Sequence, residues 1–592
     1  MACAMKSLLV LPLLFVLSSS APDPSHCRCR PHEPCWPAPQ EWTNLHHSIA
    51  GNLAAVRPAA AVCYPGAAAD PDSCKEVTSS WNNSTWRAAH PGALQWENWE
   101  ASSARDESCY IESAESTSCD QGRISLYSAQ AKTAAHIQEA VRFAKKHNLR
   151  LAIKNSGHCF LGRSSAPDSL QILTSAMKGI HIVDDFVPAG GPRSEGQAVT
   201  LDAGVTLEEM YAALAEKERI AVGGAARSVA PAGGYIQGGG HSFLGPWKGM
   251  AADNALEFSV VTARGDLVIA NEYQNTDLFW ALRGGGGGTF GVVVNATVRT
   301  FDEVPLILTD LKISTPAGNP SFWHAMADFH AALPRLIDVG GAGYYFMVPK
   351  MPLLGDAISI SGMTVVMHFP NMTDKARIDD LFDPLVKTLR SNKGVTALYQ
   401  SKRVPNIETL IKDALNPGGK EDVGGNKRGA SRLYSRDLLT SPSGADHLVS
   451  ALQSLHFNPG EAVLGNIVAG GAVADNADRV DSALNPAWRR ALLHLVIERR
   501  WAADATLEEQ DVVKANITDV EVPILRGVEG ADTMGAYLNE ADADETDFQA
   551  SFWGKNYPEL YRLKQKWDPT GLFIARKGVG SEDWDDEGLC RV

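Results

Sequence analysis

A chain of 592 residues is long enough for two or three domains of ordinary size and a large core. Its 44% hydrophobic and 21% charged residues suit a soluble globular protein, and no internal apolar run reaches the ~18 residues of a membrane span, which argues against integral membrane function. A formal net charge of -15, with no basic patch to offset it, excludes the phosphate backbone of nucleic acid as a partner.

Residues 1–20 read as a secretory signal: Lys6, an apolar run from Leu8 to Leu17, and small residues from Ser18 to Ala21, stopped by Pro22 and Pro24. The chain is therefore expected outside the cell. Beyond Cys3, nine cysteines remain, seven of them before residue 120. The crowding predicts disulfides, because the spacings lack the paired C-x-x-C of a zinc site and an oxidising compartment favours S–S bonds. Without Cys159 the number is even; local loops such as Cys63 with Cys74 and Cys109 with Cys119 are plausible, and Cys590 would return to the N-terminal region. Sequons begin at Asn82, Asn83, Asn295, Asn371 and Asn516. Residues 21–120, rich in Pro, Ala, Ser and Cys with little periodicity, read as a loop-rich, cross-linked lead-in.

Ordered patterning starts after that. Ile137, Ala140, Val141 and Ala144 recur at helical spacing between Thr133 and Lys146, and Leu149 to Lys154 alternates as a strand. Thr206 with Glu209 forms a candidate capping box for a helix carrying Leu207, Met210, Tyr211 and Leu214 on one face. Strand-like runs at 198–202, 258–262 and 267–270 flank it, so the class is α+β. Beyond Thr300 longer polar helices mix with strands. That is a second domain.

Three glycine-rich segments carry the chemistry. The first, Lys154 to Ser165, follows a predicted strand; Gly157 and Gly162 can turn backbone N–H groups inward, and Ser156, Ser164 and Ser165 add hydroxyls, an arrangement suited to a diphosphate. His158 in its middle is open to three readings: a flavin ligand, a general base or a hydrogen-bonded turn residue. The second runs from Gly233 to His241 and the third from Gly284 to Gly291. Gly286, Gly288 and Gly291 fit G-x-G-x-x-G, but a helix precedes them and a strand follows, the reverse of a Rossmann site. Each segment alone reads as a set of tight turns.

Their order, together with Leu256 to Ala263, Asp277 to Gly286, Tyr537-Leu538-Asn539, Asn556 and Leu563 to Pro569, resembles the berberine-bridge-enzyme-like oxidases of the vanillyl-alcohol-oxidase flavoprotein superfamily. The resemblance implies a two-lobed FAD-binding domain at 121–302, an inserted α+β substrate domain at 303–535 whose antiparallel sheet is covered by helices, and a C-terminal segment, 536–592, returning to the first domain. It implies FAD on a covalent bond from His158. Cofactor contact extends to Asn155, Ser156, Gly157, Gly162, Arg163, Ser164 and Ser165, to Gly233, Gly234, Gly238, Gly239 and Gly240, and to Asn539. Many members add a cysteinyl bond just before the second glycine segment, but Ala225 to Ala230 contains no cysteine. Cys159, next to His158 on an extended loop, would point elsewhere, so a single histidyl link is expected.

Where the family commonly has Tyr-x-Asn-Tyr, this chain reads Tyr537-Leu538-Asn539-Glu540. Glu540 is the candidate catalytic base, since a carboxylate near pKa ~4.3 is already ionised whereas a phenol near ~10 must be activated; Tyr537 is the second choice. The competing reading makes Glu540 part of a solvated acidic run with Asp542, Asp544 and Glu545. The expected reaction is hydride transfer from a small-molecule alcohol or similar C–H donor to FAD, with O2 as acceptor, H2O2 as product and Ala230 leaving room for oxygen. No metal is expected, and the protein is expected to be a monomer. Trp323, Tyr344, Tyr345, Phe346, Trp488 and Trp501 are aromatic candidates for substrate stacking, with core packing preferred for most. The alternatives are an oligosaccharide oxidase or dehydrogenase of the same family, and a flavin-carrying binding protein with little turnover.

Overall fold

Among the described residues, seventeen strands, in chain order, form three sheets. Leu53–Ala55 (β1), Tyr127–Gln130 (β2), Arg150–Lys154 (β3) and Ser169–Leu173 (β4) make a four-stranded sheet in the order β1-β2-β4-β3, with β2 and β3 parallel to β4. Ile180–Val183 (β5), Ala198–Asp202 (β6), Arg219–Ala221 (β7), Ala255–Val261 (β8), Leu267–Asn271 (β9) and Val292–Asp302 (β10) make an antiparallel second sheet in which β10 pairs with β6, β7 and β8. Leu306–Pro316 (β11), Ala342–Pro352 (β12), Ser359–Pro370 (β13), Thr396–Val404 (β14), Asn426–Ser435 (β15), Val463–Ile467 (β16) and Ala491–Trp501 (β17) make the third, wholly antiparallel sheet. Its order is β14-β11-β13-β12-β16-β17-β15. This computed structural model describes residues 26–66, 69–113, 118–353, 359–415, 421–529 and 533–592; the expected signal segment, 1–20, lies outside the described residues. The α+β class and the two-lobed architecture are as expected, and no helix among the described residues is long and apolar enough to cross a membrane.

Local chemistry explains the helices that periodicity predicted. Thr133 caps Ala134–Lys146, and its buried Ile137, Ala140, Val141 and Ala144 form one apolar face. The Thr206 and Glu209 capping box is present at the start of Leu207–Ala215.

In the third sheet, period-two alternation divides the faces. Tyr345 and Met347 of β12, Met367 and Phe369 of β13, and Leu493, Leu495 and Ile497 of β17 pack against Ser321–Asp338, Lys375–Ser391 and Gly444–Ser454. The intervening Tyr344, His368 and His494 face the other way, and His368 Nε2 bonds the Phe243 carbonyl at 2.8 Å. The sheet is thus covered by helices on one side, and on the other Leu306, Leu308, Tyr344 and Val366 share a core with Val199, Leu201 and Val298 of the second sheet.

The N-terminal segment corrects the expectation of a loop-rich lead-in. It contains the helices Pro39–Ser48, Pro71–Ser80 and Ser84–Ala89, and β1 adds an antiparallel edge to β2. Asp70 and Asn83 cap the second and third helices, which are too short to show an apolar period. This segment also buttresses the first glycine loop. Lys154, fully buried at the end of β3, donates to the carbonyls of Arg87 (2.7 Å), His90 (2.6 Å) and Ala93 (2.7 Å), and burial pulls its ammonium down to about 7. Gln95 Nε2 bonds the Ser156 carbonyl at 2.8 Å. Among the described residues four disulfides join Cys27 to Cys590, Cys29 to Cys35, Cys63 to Cys74 and Cys109 to Cys119, and Cys159 is free.

The C-terminal segment is fastened to the third glycine segment. Lys564 Nζ, buried with Asp568, donates to Asp568 (2.7 Å) and to the carbonyls of Thr289 (2.8 Å) and Phe573 (2.6 Å). Trp553 Nε1 donates to the Gly284 carbonyl at 3.0 Å.

Candidate active site

A cleft with about 1030 Å³ of empty space, part of it open to solvent, lies where the three glycine segments meet the C-terminal segment. The first loop turns sharply after β3, with Gly157 at φ 78° and Gly162 at φ 67°, left-handed conformations that favour glycine. Of its predicted residues, Asn155, Ser156, Gly157, His158, Arg163 and Ser164 line the cleft. Gly233 and Gly234 of the second segment join them, as do Tyr537, Asn539 and Glu540. Gly287, Gly288 and Gly291 of the third segment do so too.

Gly162, Ser165, Gly238, Gly239 and Gly240 are not among the residues that line the cleft. Ser165 is buried and gives its hydroxyl to the Trp99 carbonyl, and Gly162 lies under the Trp99 ring, where a Cβ would meet Cε3 at 2.2 Å. Gly238, Gly239 and Gly240 stand outside the cleft lining; a Cβ there would meet Asn539, Leu484 and Ala251, so these glycines serve close packing. Nor does Cys159 point away from the cleft. It lines the same wall as His158, and its Sγ accepts from Arg163 Nε at 3.0 Å.

Asn539 ties the C-terminal segment to both loops. Its Oδ1 accepts from Arg163 Nη2 at 2.6 Å, while Nδ2 donates to the Gly234 carbonyl (3.0 Å) and the Tyr537 hydroxyl (2.7 Å). Arg163 Nη1 and Gln237 Oε1, on residues lining the cleft, are buried without a hydrogen-bond partner. Gly287 runs so close to Gly234 that a Cβ would meet its Cα at 2.7 Å, leaving bare backbone as the wall. An unmet guanidinium N–H, an unmet amide oxygen and a glycine-walled cleft fit a large cofactor with an anionic diphosphate and a polar ring edge.

His158 and Glu540 carry the titratable clusters. His158 Nε2 lies 2.6 Å from Ser228 Oγ and 3.4 Å from Glu421 Oε2, with the Trp96 ring edge-on at 6.0 Å. Burial opposes the Glu421 charge, but His158 and the Ser228 hydroxyl and amide outweigh it and hold the carboxyl at about 2. Glu540 Oε1 lies 2.9 Å from His241 Nε2, and Oε2 lies 3.7 Å from His494 Nδ1. Burial pushes its carboxyl up, yet the two imidazoles outweigh that and hold it below the usual range. Burial pulls buried His494 down to about 3. Tyr537 packs edge-on to His241 and His494, and burial and Glu540 raise its phenol further.

Asp542 and Glu545 are buried, so the run after Glu540 is no solvated acidic face. The His241, His494 and Glu540 ligand atoms lie within 4.8 Å of one another, near enough for a metal ion. Asn466 Nδ2, however, sits 3.1 Å from His494 Nδ1, on the lone pair such an ion would need.

Sequence reasoning missed His241, His494, Ser228 and Glu421. His241 directly follows the second glycine run and was open to notice; His494 and Glu421 have no local signal. Among the aromatic candidates, Trp488 and Tyr345 are core, and Phe346 is 54% exposed. Tyr344 has a buried hydroxyl without a hydrogen-bond partner, and burial and Glu540 raise its phenol.

Comparison with known proteins shows the family. The family described as FAD binding domain matches residues 126–271, and that described as berberine and berberine like matches 536–580. An uncharacterized FAD-linked oxidoreductase of Arthroderma benhamiae is 48% identical over 97% of both chains. The VAO-type flavoprotein MtVAO615 of Myceliophthora thermophila C1 is 32% identical, with a TM-score of 0.83 over 96% of this chain and 100% of its own. A glucooligosaccharide oxidase from Acremonium strictum, whose structure is described with 6-S-cysteinyl, 8α-N1-histidyl FAD, shares the fold at 19% identity and a TM-score of 0.59, over 77% of this chain and 91% of its own. The chain belongs to the berberine-bridge-enzyme-like FAD-linked oxidoreductases of the vanillyl-alcohol-oxidase superfamily.

Proposed function

We propose that this chain is a secreted oxidase that holds FAD by a single bond to His158 and oxidises a small-molecule alcohol or a similar C–H donor. The observation that carries the reading is that His158 and the carboxylate Glu540 line one cleft. When bound, FAD supplies a two-electron acceptor for hydride, and O2 takes those electrons on as H2O2.

Arg163, Ser164 and the glycine walls hold the anionic part of the cofactor, and Asn539 fixes Arg163 and Tyr537 relative to one another. Glu540, kept ionised, takes the proton from the substrate hydroxyl; His241 orients the carboxylate through its hydrogen bond. Tyr537 is the poorer base, because its raised phenol stays protonated and accepts from Asn539. A single link is supported by the absence of cysteine from 225–230, with Ser228 beside His158, and by Arg163 engaging Cys159. The histidyl linkage named for the Acremonium enzyme supports His158 as the attachment point.

Four disulfides support an oxidising compartment. Asn82 and Asn371 are exposed and suit glycans, whereas Asn295 lies in β10 with strands on both sides.

The test is to mix the purified protein in air with a panel of small alcohols and oligosaccharides and measure H2O2 and substrate oxidation together. The reading predicts equal amounts of peroxide and oxidised small alcohol. Flavin that substrate reduces but only an added electron carrier reoxidises would make the chain a dehydrogenase.

A further inference from the structure

Ser228 and Glu421 make a directed hydrogen-bond chain behind His158, and its direction fixes which imidazole nitrogen is free to react. Glu421, held ionised, can only accept. It takes the Ser228 amide N–H on Oε1 at 3.0 Å and the Ser228 hydroxyl on Oε2. With its one proton committed to Glu421, Ser228 Oγ must accept from His158 Nε2, 2.6 Å away. The imidazole therefore carries its proton on Nε2, and Nδ1, which makes no hydrogen bond among the described residues, holds the free lone pair. Glu421 reaches this position from the chain just ahead of β15, and neither its segment nor Ser228 is assigned any role by the reaction proposed above.

We propose that Glu421, acting through Ser228, is the positioning residue and proton acceptor for attachment of the flavin at His158, leaving free the nitrogen that matches the N1-histidyl link described for the Acremonium enzyme. The inference rests on the His158 attachment proposed above. In the step, one C–H bond of the flavin 8-methyl group and the imidazole N–H break, and a bond forms between Nδ1 and the methyl carbon. That carbon is oxidised by two electrons, which the isoalloxazine takes up. The Nε2 proton leaves through Ser228 to Glu421 as positive charge grows on the imidazole, and the adjacent carboxylate stabilises that charge. O2 is the oxidant that returns the ring to its starting state; it leaves as H2O2 with the two electrons and the two released protons.

The test compares the full-length wild type with Glu421→Gln, Glu421→Asp, Ser228→Ala and His158→Ala. Each is purified, its total FAD is measured, and acid-precipitated protein is assayed for the flavin that stays attached as it matures in added FAD and air. Attachment in Glu421→Gln and Ser228→Ala is expected to slow on the order of 100-fold, the low end of what a positioned base contributes, with FAD still bound. Glu421→Asp is expected to recover much of the rate, a rescue that a merely structural role would not show. NMR of the flavin peptide from wild type is expected to place the bond at Nδ1. Wild-type attachment rates in both Glu421→Gln and Ser228→Ala, or a bond at Nε2, would overturn the inference while leaving covalent attachment intact. Release of all flavin by the wild type would instead remove the attachment itself.

Discussion

Glu540→Gln is expected to slow reduction of the bound flavin by substrate roughly 100- to 10,000-fold, the range that a positioned general base contributes, while FAD content stays unchanged. The amide keeps the shape of the side chain and its contact with His241 but cannot take a proton. Anaerobic stopped-flow bleaching of the flavin reads the step without interference from reoxidation. The pH profile gives a second readout with a definite sign. Glu540 works ionised and its pKa is held below the ordinary value, so the wild-type reduction rate should be lost only as pH falls below ~4.3, the usual glutamate value. That acid limb should vanish in the Gln variant. Equal bleaching rates in the two proteins would return Glu540 to a structural role.

Lys564→Met is expected to destabilise the protein by about 3–5 kcal/mol, the cost of removing one partner from a buried ion pair. Asp568 would keep its charge in a fully buried position, offset by the Leu572 and Phe573 amides, each at 2.8 Å, by the Thr570 hydroxyl at 3.5 Å and by the nearby Arg28 charge. The carbonyls of Thr289 and Phe573 would lose the same donor. Because Thr289 belongs to the third glycine segment, the variant should also bind FAD less tightly. Denaturant melts with and without added FAD check both parts, and a loss below about 1 kcal/mol, the worth of an exposed pair, would show that Lys564 matters little.

Sequence order made legible whatever rested on neighbouring residues. The helix after Thr133, the Thr206 capping box and the strand at 198–202 were open to reading because cap chemistry and apolar periodicity operate within a few turns of chain. The cleft's first loop was legible in part for the same reason: a strand, then glycines, serines and a histidine in close order.

What stayed hidden depends on distant pairing. His494 reaches Glu540 because β16 and β17 pair Asn466 with His494 across the third sheet, and nothing near residue 494 announces it. Glu421 meets His158 only when its segment folds back over the first loop. Gly238 to Gly240 read as cofactor residues because glycine signals close approach without saying to what; they stand outside the cleft lining, and a Cβ there would meet Asn539, Leu484 and Ala251. The N-terminal helices escaped because two are held by single side-chain caps rather than by long apolar faces.

The central claim, that this cleft brings His158 to an FAD it bonds, is tested most directly by mass spectrometry of protease fragments from acid-denatured wild-type protein. The account predicts one FAD mass on the fragment containing His158 and none on that fragment in His158→Ala. Unmodified His158 in protein that was yellow before denaturation, with all the flavin free in solution, would contradict it.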